Sequence, residues 1–382
     1  MLLVGILCNN IRSKLRVLVT GSDGFIGKNM VVHLNELDGF ESLNFTRQDS
    51  IEKLKILVSQ ADAIIHLAGE NRPKNKVAFE KVNVGLSKIL CDTIKDNGKK
   101  IKLIFASSIQ ADQDSQFGRS KHAAEKLFEK LSKDTDNSVF IYRLTNTFGK
   151  WSKPNYNSVV STFCYNIAHG LPIQINDSST KLNLVYVDDV ISEFLQAVQS
   201  ETNGLTWGSV EPVYPITLGK LAYQIEAFKN NRSSLVSERV GSGIIRSLYS
   251  TFVSYLSPEQ FSYDLPQYGD ERGTFVEILK THDSGQFSYF TAHPGVTRGS
   301  HYHHSKSEKF LVIKGSALFG FRHIVTNETH EILTSSEKPQ VVETVPGWTH
   351  EITNVGKEEM FVILWANEIF DKDRPDTINC KV

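Results

Sequence analysis

The chain has 382 residues, 40% of them hydrophobic, and a formal net charge of −1. This length exceeds what one compact core usually holds, so it predicts two domains. The balanced charge gives no electrostatic reason to expect a nucleic acid or an anionic membrane surface as a partner. The four cysteines are scattered without a C-x-x-C pair, so we expect reduced thiols in a cytoplasmic protein.

The chain begins with the short apolar run MLLVGILCNNIRSK. This run has no basic start and no small-residue cleavage site, and it is too short to span a bilayer. We therefore expect neither a signal peptide nor a membrane anchor. The first predicted strand begins at Leu15, so residues 1–14 are interpreted as an N-terminal extension without function.

Short apolar runs alternate with amphipathic segments in the first half of the chain. The runs LRVLVTG, DAIIHLAG, KLIFASS and SVFIYRL predict buried strands at 15–21, 62–69, 102–108 and 138–144. Continuous aliphatic runs of this length are typical of parallel sheets that are covered on both faces. Helical patterns such as 82–96 and 118–133 lie between them, which predicts a Rossmann-type, doubly wound α/β domain.

A glycine-rich turn, TGSDGFIG, follows the first predicted strand and precedes a helix. Gly21 permits a tight turn, Gly24 lets a pyrophosphate approach the backbone, and Gly27 lets the helix pack against the strand. The N-terminus of the helix then faces the anionic phosphates. This context predicts a dinucleotide site, in which we include Phe25 and Ile26.

The tip of the second strand, LNFTRQD, bears on which nicotinamide dinucleotide binds. An NAD site usually has an acidic residue there, whereas this chain has Arg47. A guanidinium can donate two hydrogen bonds to one phosphate, so Arg47 favours NADP(H), which carries a 2′-phosphate. Asp49 follows two residues later and leaves NAD as the alternative.

Residues 15–235 resemble the extended short-chain dehydrogenase/reductase family. The motifs TGSDGFIG, HLAG, VNVGLSKIL, a serine pair, FGRSK and YVDDV occur in the order and spacing of that family. Many members act on nucleotide-sugars. The resemblance implies that Leu67, Ala68 and Gly69 also contact the cofactor, and that Ser108 and Lys121 belong to the catalytic site.

One catalytic position departs from the family pattern. The family has a tyrosine four residues before the lysine, on the same helical face, and this chain has Phe117 there. In the family the lysine holds the nicotinamide ribose, the serine hydrogen-bonds the substrate oxygen, and the tyrosine donates the proton as hydride reaches the carbonyl. Phe117 has no proton to give, so we expect slow reduction unless water, Ser108 or Asp112 substitutes. An engineered variant, a natural weak reductase and a domain retained for binding all stay open.

The segment RLTNTFGKWSKPNYNSVVSTF resembles the family's substrate side. The resemblance implies that Asn146, Asn155 and Asn157 meet the sugar diphosphate. Asparagine and glycine also form turns, which is the alternative interpretation of this segment.

The sequence pattern changes near residue 270. The runs VEILK, GQFSYFTA, EKFLVIKGSALFGFR, QVVETV and EMFVILWA are strand-like and are separated by glycine, proline and polar turns. We predict an all-β domain at 266–382, closed as a barrel or jelly roll that leaves no open sheet edge. The reductase domain is placed at 15–245 and a linker at 246–265.

This β domain contains both cupin motifs. The spacing G-x5-H-x-H-x4-E-x6-G runs through His301, His303 and Glu308, and GWTHEITN supplies His350. Histidines two apart on a strand point to one face, here the interior of the barrel. Three histidines and a carboxylate suit Zn²⁺, with Ni²⁺, Fe²⁺ and Mn²⁺ as alternatives.

Chemistry beside this metal needs a base, for which Tyr302, Lys309 and His323 are the candidates in the sequence. His304 adjoins the cluster but points to the opposite face of a regular strand.

A reductase domain followed by a metal cupin is an uncommon pairing. Together with LYSTFVSYL, HYHHSKSEKFLV and NEIFDKDRPDT, it makes nearly the whole chain after residue 14 resemble the CapF-type bifunctional enzymes of capsule and O-antigen biosynthesis. The resemblance implies that the cupin domain epimerises carbon 3 of a UDP-2-acetamido-2,6-dideoxy-hexos-4-ulose. The reductase domain then uses NADPH to reduce carbon 4, giving UDP-2-acetamido-2,6-dideoxy-L-talose on the route to UDP-N-acetyl-L-fucosamine.

Two other classes of function stay open. The chain is alternatively a catalytically weakened regulatory protein that binds NADP and metal, or an iron cupin oxygenase fused to a reductase. Because cupins and these reductases both tend to pair, a homodimer is expected.

Overall fold

The computed structural model describes residues 14–71, 75 and 77–382. Residues 1–13 of the predicted extension, which include Cys8, lie outside the described residues. The described residues divide into two compact units: those up to residue 225 together with 247–256 form one, and residues 226–246 with 257–382 form the other. The segment predicted as a linker carries part of a helix, Gly243–Val253. The domain boundaries themselves stay a prediction.

The first unit is built on a parallel sheet. Its strands are β1 Leu15–Thr20, β2 Phe40–Phe45, β3 Ala63–His66, β4 Lys102–Ser108, β5 Val139–Leu144, β6 Asn146–Phe148, β7 Lys181–Tyr186, β8 Leu205–Gly208 and β9 Tyr214–Thr217. Six of them form the main sheet in the order β2-β1-β3-β4-β5-β8, and β6-β7-β9 form a smaller sheet. Each neighbouring pair of the main sheet is parallel, as in a Rossmann-type domain.

Helices connect these strands and continue beyond them. They are α1 Phe25–Glu36, α2 Ile51–Gln60, α3 Ser87–Asn97, α4 Gln116–Asp134, α5 Val159–Ala168, α6 Val187–Gln199, α7 Leu218–Ser234 and α8 Gly243–Val253. A π-helix, Phe79–Leu86, runs directly into α3, and a 3₁₀ turn, Ile109–Asp112, follows β4. Another 3₁₀ turn, Pro258–Gln260, lies in the second unit.

The main sheet is buried on both faces because its strands are apolar at successive positions. In β1, Val17 and Val19 pack into one core with Phe194 of α6. Leu18 points the other way, into a second core with Phe128 of α4. The prediction of a doubly wound α/β sheet is therefore confirmed.

The second unit is built almost entirely of strands. They are β10 Val236–Ser237, β11 Gln267–Asp270, β12 Gly273–Thr281, β13 Gly285–Ala292, β14 Thr297–Tyr302, β15 Glu308–Lys314, β16 Ser316–His323, β17 Thr329–Ser335, β18 Val341–Glu343, β19 Trp348–Asn354, β20 Met360–Ala366 and β21 Ile378–Asn379. One sheet has the order β10-β12-β13-β20-β15-β18 with β11 beside β12, and the other has the order β17-β16-β19-β14-β21. The strands pair antiparallel, apart from β10 with β12.

Aromatic and aliphatic side chains fill the space between these two sheets. Phe290 and Phe310 come from one sheet, and Phe319, Phe321 and Ile352 come from the other. The described pairings form two sheets rather than one closed ladder, and the prediction of an all-β domain is confirmed.

Within the described ranges, we find no helix that combines the length and the apolar composition needed to cross a membrane.

Candidate functional site

A cavity of about 550 Å³ lies in the first unit, where the parallel strands reach their carboxyl ends. This edge is where ligands bind in open α/β sheets. The predicted cofactor residues that line the cavity are Gly21, Gly24, Phe25, Ile26, Gly27, Arg47, Leu67, Gly69 and Lys121. Ala68 instead packs its backbone against the glycine turn.

The glycine turn brings the start of α1 to this cavity. Gly21 has φ +70°, and a Cβ atom there would lie 2.9 Å from Cα of Ala68. A Cβ atom on Gly27 would lie 2.1 Å from the carbonyl oxygen of Gly21, so the turn excludes larger residues at both positions. No side chain caps α1 at Gly24. The first N–H groups of the helix are therefore free to bind phosphates, and the turn fits a dinucleotide.

The tip of β2 presents Arg47 to the cavity. The Arg47 guanidinium forms an ion pair with Glu70, while 73% of the Arg47 side chain is exposed. Asp49 has other partners: its carboxylate accepts hydrogen bonds from the Thr46 amide at 2.7 Å and from Lys53 Nζ at 2.6 Å. Of these two residues, only Arg47 lines the cavity.

Lys121 and Ser108 both line the cavity. Lys121 is buried, and its Nζ donates a hydrogen bond to the Ala106 carbonyl at 2.7 Å. Burial lowers the pKa of Lys121 to about 8. The Ser108 hydroxyl accepts a hydrogen bond from the Gln110 amide at 3.2 Å, which begins the 3₁₀ turn after β4.

Phe117 stands at the start of α4, one helical turn before Lys121. Ser115 caps this helix by accepting a hydrogen bond from the Gly118 amide at 2.9 Å. The Phe117 ring lines the cavity, with its centroid 6.0 Å from that of Phe79. The helix therefore presents position 117 and Lys121 to one cavity, as the family pattern requires.

Asp112 is the substitute acid that the sequence suggested, and the structure gives it another partner. Both of its carboxylate oxygens accept hydrogen bonds from Arg143 Nη1 at 2.7 Å. Arg143 also binds Glu125, which is 1% exposed. Asp112 is not among the described residues that line the cavity, whereas Ser108 is. Sequence reasoning missed this ion-pair network because Arg143 is distant in the chain from Asp112 and Glu125.

The three predicted substrate asparagines have different surroundings. Asn146 and Asn157 line the cavity. The Asn155 amide instead donates to Asn166 Oδ1 at 3.2 Å, and Asn155 has φ +54°, a turn conformation. Lys153 and Tyr156 of the same segment also line the cavity. Sequence reasoning passed over them, although they lie between the predicted asparagines.

The second unit brings the four predicted metal ligands together. His301 on β14 lies opposite His350 on β19, and Glu308 begins β15. One donor atom from each of His301, His303, Glu308 and His350 lies within 4.8 Å of the others. His303, Glu308 and His350 are buried, and His301 is partly buried.

The donor atoms of this cluster face one another. His303 Nε2 lies 3.2 Å and His350 Nε2 3.5 Å from the same oxygen of Glu308, Oε2. Burial of Glu308 opposes its ionisation, but hydrogen bonds from His303 and His350 outweigh this effect and hold its pKa well below the usual range. Burial lowers the pKa of His301 to about 4, so its imidazole is neutral at pH 7. Three imidazoles around a carboxylate fit a divalent cation.

Each of the three base candidates named from the sequence contacts other groups in the structure. Lys309 forms an ion pair with Glu343, and His323 Nδ1 accepts from the amides of the turn that follows it. The Tyr302 ring packs against His304. Lys306, which sequence reasoning missed, is 8% exposed and places Nζ 3.1 Å from Glu308 Oε1. In the sequence, nothing distinguishes Lys306, two residues before Glu308, from the other lysines nearby.

Two family models match the chain. Residues 17–208 match the NAD dependent epimerase/dehydratase family. Residues 268–378 match the polysaccharide biosynthesis C-terminal domain.

The chain is also similar to proteins that span nearly its whole length. It is 54% identical to a UDP-2-acetamido-2,6-beta-L-arabino-hexul-4-ose reductase from Pseudomonas aeruginosa, over 96% of this chain and 99% of the relative. The crystal structure of the capsular polysaccharide assembling protein CapF from Staphylococcus aureus has a TM-score of 0.89 and 40% identity, covering 96% of this chain and 100% of CapF.

A more distant structure shares the fold alone. UDP-glucuronic acid 4-epimerase from Bacillus cereus, in complex with NAD, is 15% identical with a TM-score of 0.55 and covers 63% of this chain and 98% of its own. The extensive matches confirm the resemblance drawn from the motifs: the chain belongs to the NAD dependent epimerase/dehydratase family and, within it, to the CapF-type proteins that carry a polysaccharide biosynthesis C-terminal domain.

Proposed function

We propose that this protein is a bifunctional nucleotide-sugar enzyme. Its second unit epimerises carbon 3 of a UDP-2-acetamido-2,6-dideoxy-hexos-4-ulose, and its first unit reduces the 4-keto group with NADPH to the L-talo product. The product serves UDP-N-acetyl-L-fucosamine synthesis for capsule or O-antigen. The observation that carries the proposal is the 54% identity to a UDP-4-keto-sugar reductase, in a chain with both a dinucleotide cavity and a His₃Glu cluster.

The order of the two reactions follows from the chemistry of the ketone. A 4-keto group acidifies the hydrogen on carbon 3, whereas the alcohol produced by reduction does not. Epimerisation therefore precedes reduction. The same carbonyl activates its neighbour first and receives the hydride second.

The residues of the first unit have defined tasks in reduction. The uncapped start of α1 binds the pyrophosphate, and Lys121 holds the nicotinamide ribose. Ser108 orients the substrate carbonyl by a hydrogen bond, and Asn146 and Asn157 meet the sugar diphosphate. NADPH, when bound, supplies the hydride. Phe117 cannot donate the accompanying proton, so the proton reaches the product alkoxide from water or from Ser108, and the step is slow.

The second unit holds the cation for epimerisation. His301, His303, Glu308 and His350 are its ligands, and Zn²⁺ suits this donor set. A divalent cation held by these residues would supply Lewis acidity towards the substrate ketone. Ni²⁺, Fe²⁺ and Mn²⁺ suit the same residues less specifically, and metal analysis of the purified protein distinguishes them.

The cofactor is proposed to be NADP(H) rather than NAD(H), on the position of Arg47. Arg47→Ala is expected to weaken NADPH binding about tenfold or more, because a hydrogen-bonded charge pair contributes roughly 1.5–3 kcal/mol. NADH binding is expected to stay the same, since NADH has no 2′-phosphate. Lys53→Ala is the matched control, because it removes a nearby cation that pairs with Asp49 and does not line the cavity. Equal losses for both cofactors would contradict the assignment.

The test of the whole function is product analysis by NMR. The purified chain is incubated with the UDP-4-keto sugar and NADPH while the absorbance of the reduced cofactor is followed. We expect the L-talo sugar nucleotide to appear as NADPH is consumed. Binding of NADPH and metal without turnover would instead favour the regulatory protein, and oxygen uptake would favour the iron oxygenase. A cytoplasmic location and a homodimer stay predictions of the sequence.

A further inference from the structure

The C-terminal segment Asp376–Cys380, called the strap below, runs along the segment that carries two of the three cluster histidines. In its strand, β21, Asn379 lies opposite His301 and Ile378 lies opposite Tyr302. The Cys380 amide continues this pairing by donating to the Ser300 carbonyl at 2.9 Å. The strap therefore pairs with the end of β14, residues 300–302, where the H-x-H motif begins.

The Asp376 carboxylate holds the loop between His303 and Glu308. Its Oδ1 accepts a hydrogen bond from the His304 amide at 2.8 Å. Its Oδ2 accepts from the amide and hydroxyl of Ser305, at 2.7 and 2.9 Å, and from the Lys306 amide at 2.8 Å. One carboxylate thus satisfies three successive amides of the loop and fixes its path.

The Asp376 carbonyl contacts the cluster itself. It accepts a hydrogen bond from His303 Nδ1. Because a carbonyl oxygen only accepts, Nδ1 carries a proton, and Nε2 is the ring nitrogen that faces Glu308 Oε2, 3.2 Å away. The strap therefore engages Nδ1 and turns Nε2, the nitrogen left to bind a metal, towards the cluster.

The other end of the strap reaches the strand of the fourth ligand. The Thr349 hydroxyl donates to the Cys380 carbonyl, and Thr349 is fully buried. Thr349 directly precedes His350 on β19. The strap thus joins β14, the loop after it and β19, which together carry three of the four ligands.

We propose that the strap is a positioning element of the metal centre, in which Asp376 and Cys380 hold the segments of His303 and His350 in their metal-binding arrangement. The proposal rests on the metal centre of the proposed epimerase. It extends that centre to residues about seventy positions away in sequence from the H-x-H motif. Outer-shell partners of metal ligands typically contribute 10–100-fold in affinity, so the strap has a measurable effect.

The first test is Asp376→Asn in the full chain, titrated with Zn²⁺ against a chromophoric chelator without sugar or NADPH. Asparagine keeps the shape but turns one acceptor oxygen into an NH₂ group that opposes the loop amides. We expect Zn²⁺ to bind about 10–100-fold more weakly. The matched control is Asp373→Asn, the same change of charge at an exposed position three residues earlier, which should leave Zn²⁺ affinity unchanged.

A second variant, Thr349→Val, removes the hydroxyl that binds the Cys380 carbonyl and preserves the volume of the side chain. We expect weaker Zn²⁺ binding here too, and this variant decides the question if Asp376→Asn does not fold. If the strap has only a structural role, the variants will unfold at a lower temperature in the metal-free state but bind Zn²⁺ with wild-type affinity. That result would overturn the proposal. If the wild-type chain binds no Zn²⁺, the proposed metal centre fails together with the strap, whereas unchanged affinity in both variants removes the strap alone.

Discussion

His301→Ala will strongly slow the incorporation of solvent deuterium at carbon 3 of the UDP-4-keto sugar. The variant keeps three of the four donors, so it loses most of its affinity for the cation that polarises the ketone. Polarisation of a carbonyl by a metal contributes several kcal/mol, so the exchange rate should fall on the order of 10³-fold. The measurement is proton NMR of the sugar in D₂O without NADPH, which separates epimerisation from reduction.

The control for this experiment is the neighbouring histidine. His304→Ala removes an exposed imidazole that lies outside the cluster, so exchange should continue at the wild-type rate. Treating the wild-type protein with a chelator should reproduce the loss, and added Zn²⁺ should restore it. NADPH binding in the first unit should be the same in all these samples. Persistent exchange in the chelated protein or in His301→Ala would rule out a metal-dependent epimerase.

Phe117→Tyr is expected to accelerate ketone reduction by about 10²-fold, at the lower end of the range for general acid catalysis. The substituted ring would enter a cavity that Lys121 and Ser108 also line, so the phenol would reach the reacting carbonyl. NADPH affinity should not change, because Phe117 fills the same space as tyrosine. The measurement is the loss of reduced-cofactor absorbance under single-turnover conditions with the epimerised ketone.

The dependence on pH adds an independent test of the new acid. A tyrosine that donates the proton must be protonated, so the rate of the variant should fall as the pH rises through the pKa of the phenol. Phe79→Tyr is the matched control, since it adds a hydroxyl to the neighbouring ring, which is not among the residues that line the cavity. If Phe117→Tyr is no faster than wild type, position 117 is not where the proton enters. If neither protein consumes NADPH, the reductase assignment fails.

Motifs formed by neighbouring residues could be predicted from the sequence. The glycine turn, the helix that carries Phe117 and Lys121, and the H-x-H strand all follow from spacing, because strand and helix geometry fixes the direction of nearby side chains. The fold class also followed from the change between β-α-β alternation and strand-only patterns. The clustering of His350 with His301 rested on the recognition of a second motif, not on local geometry.

The identity of the groups around each site depended on packing. Asp112 was a plausible proton donor in the sequence, yet Arg143 binds both of its carboxylate oxygens. Lys309 was a plausible base, yet it pairs with Glu343, while Lys306 lies beside Glu308. Spacing alone did not rank these residues, since each candidate lies in a suitable part of the chain.

The sequence by itself determined the two kinds of domain, the dinucleotide turn, the absent tyrosine and the four metal-binding side chains, since each depends on chemistry within a short segment. Only the tertiary structure decided which polar groups are already paired and which face a cavity. It also placed Asp376 against the loop after His303, a contact between residues more than seventy positions apart. Such contacts arise when buried surfaces pack together, and the order of residues along the chain does not specify them.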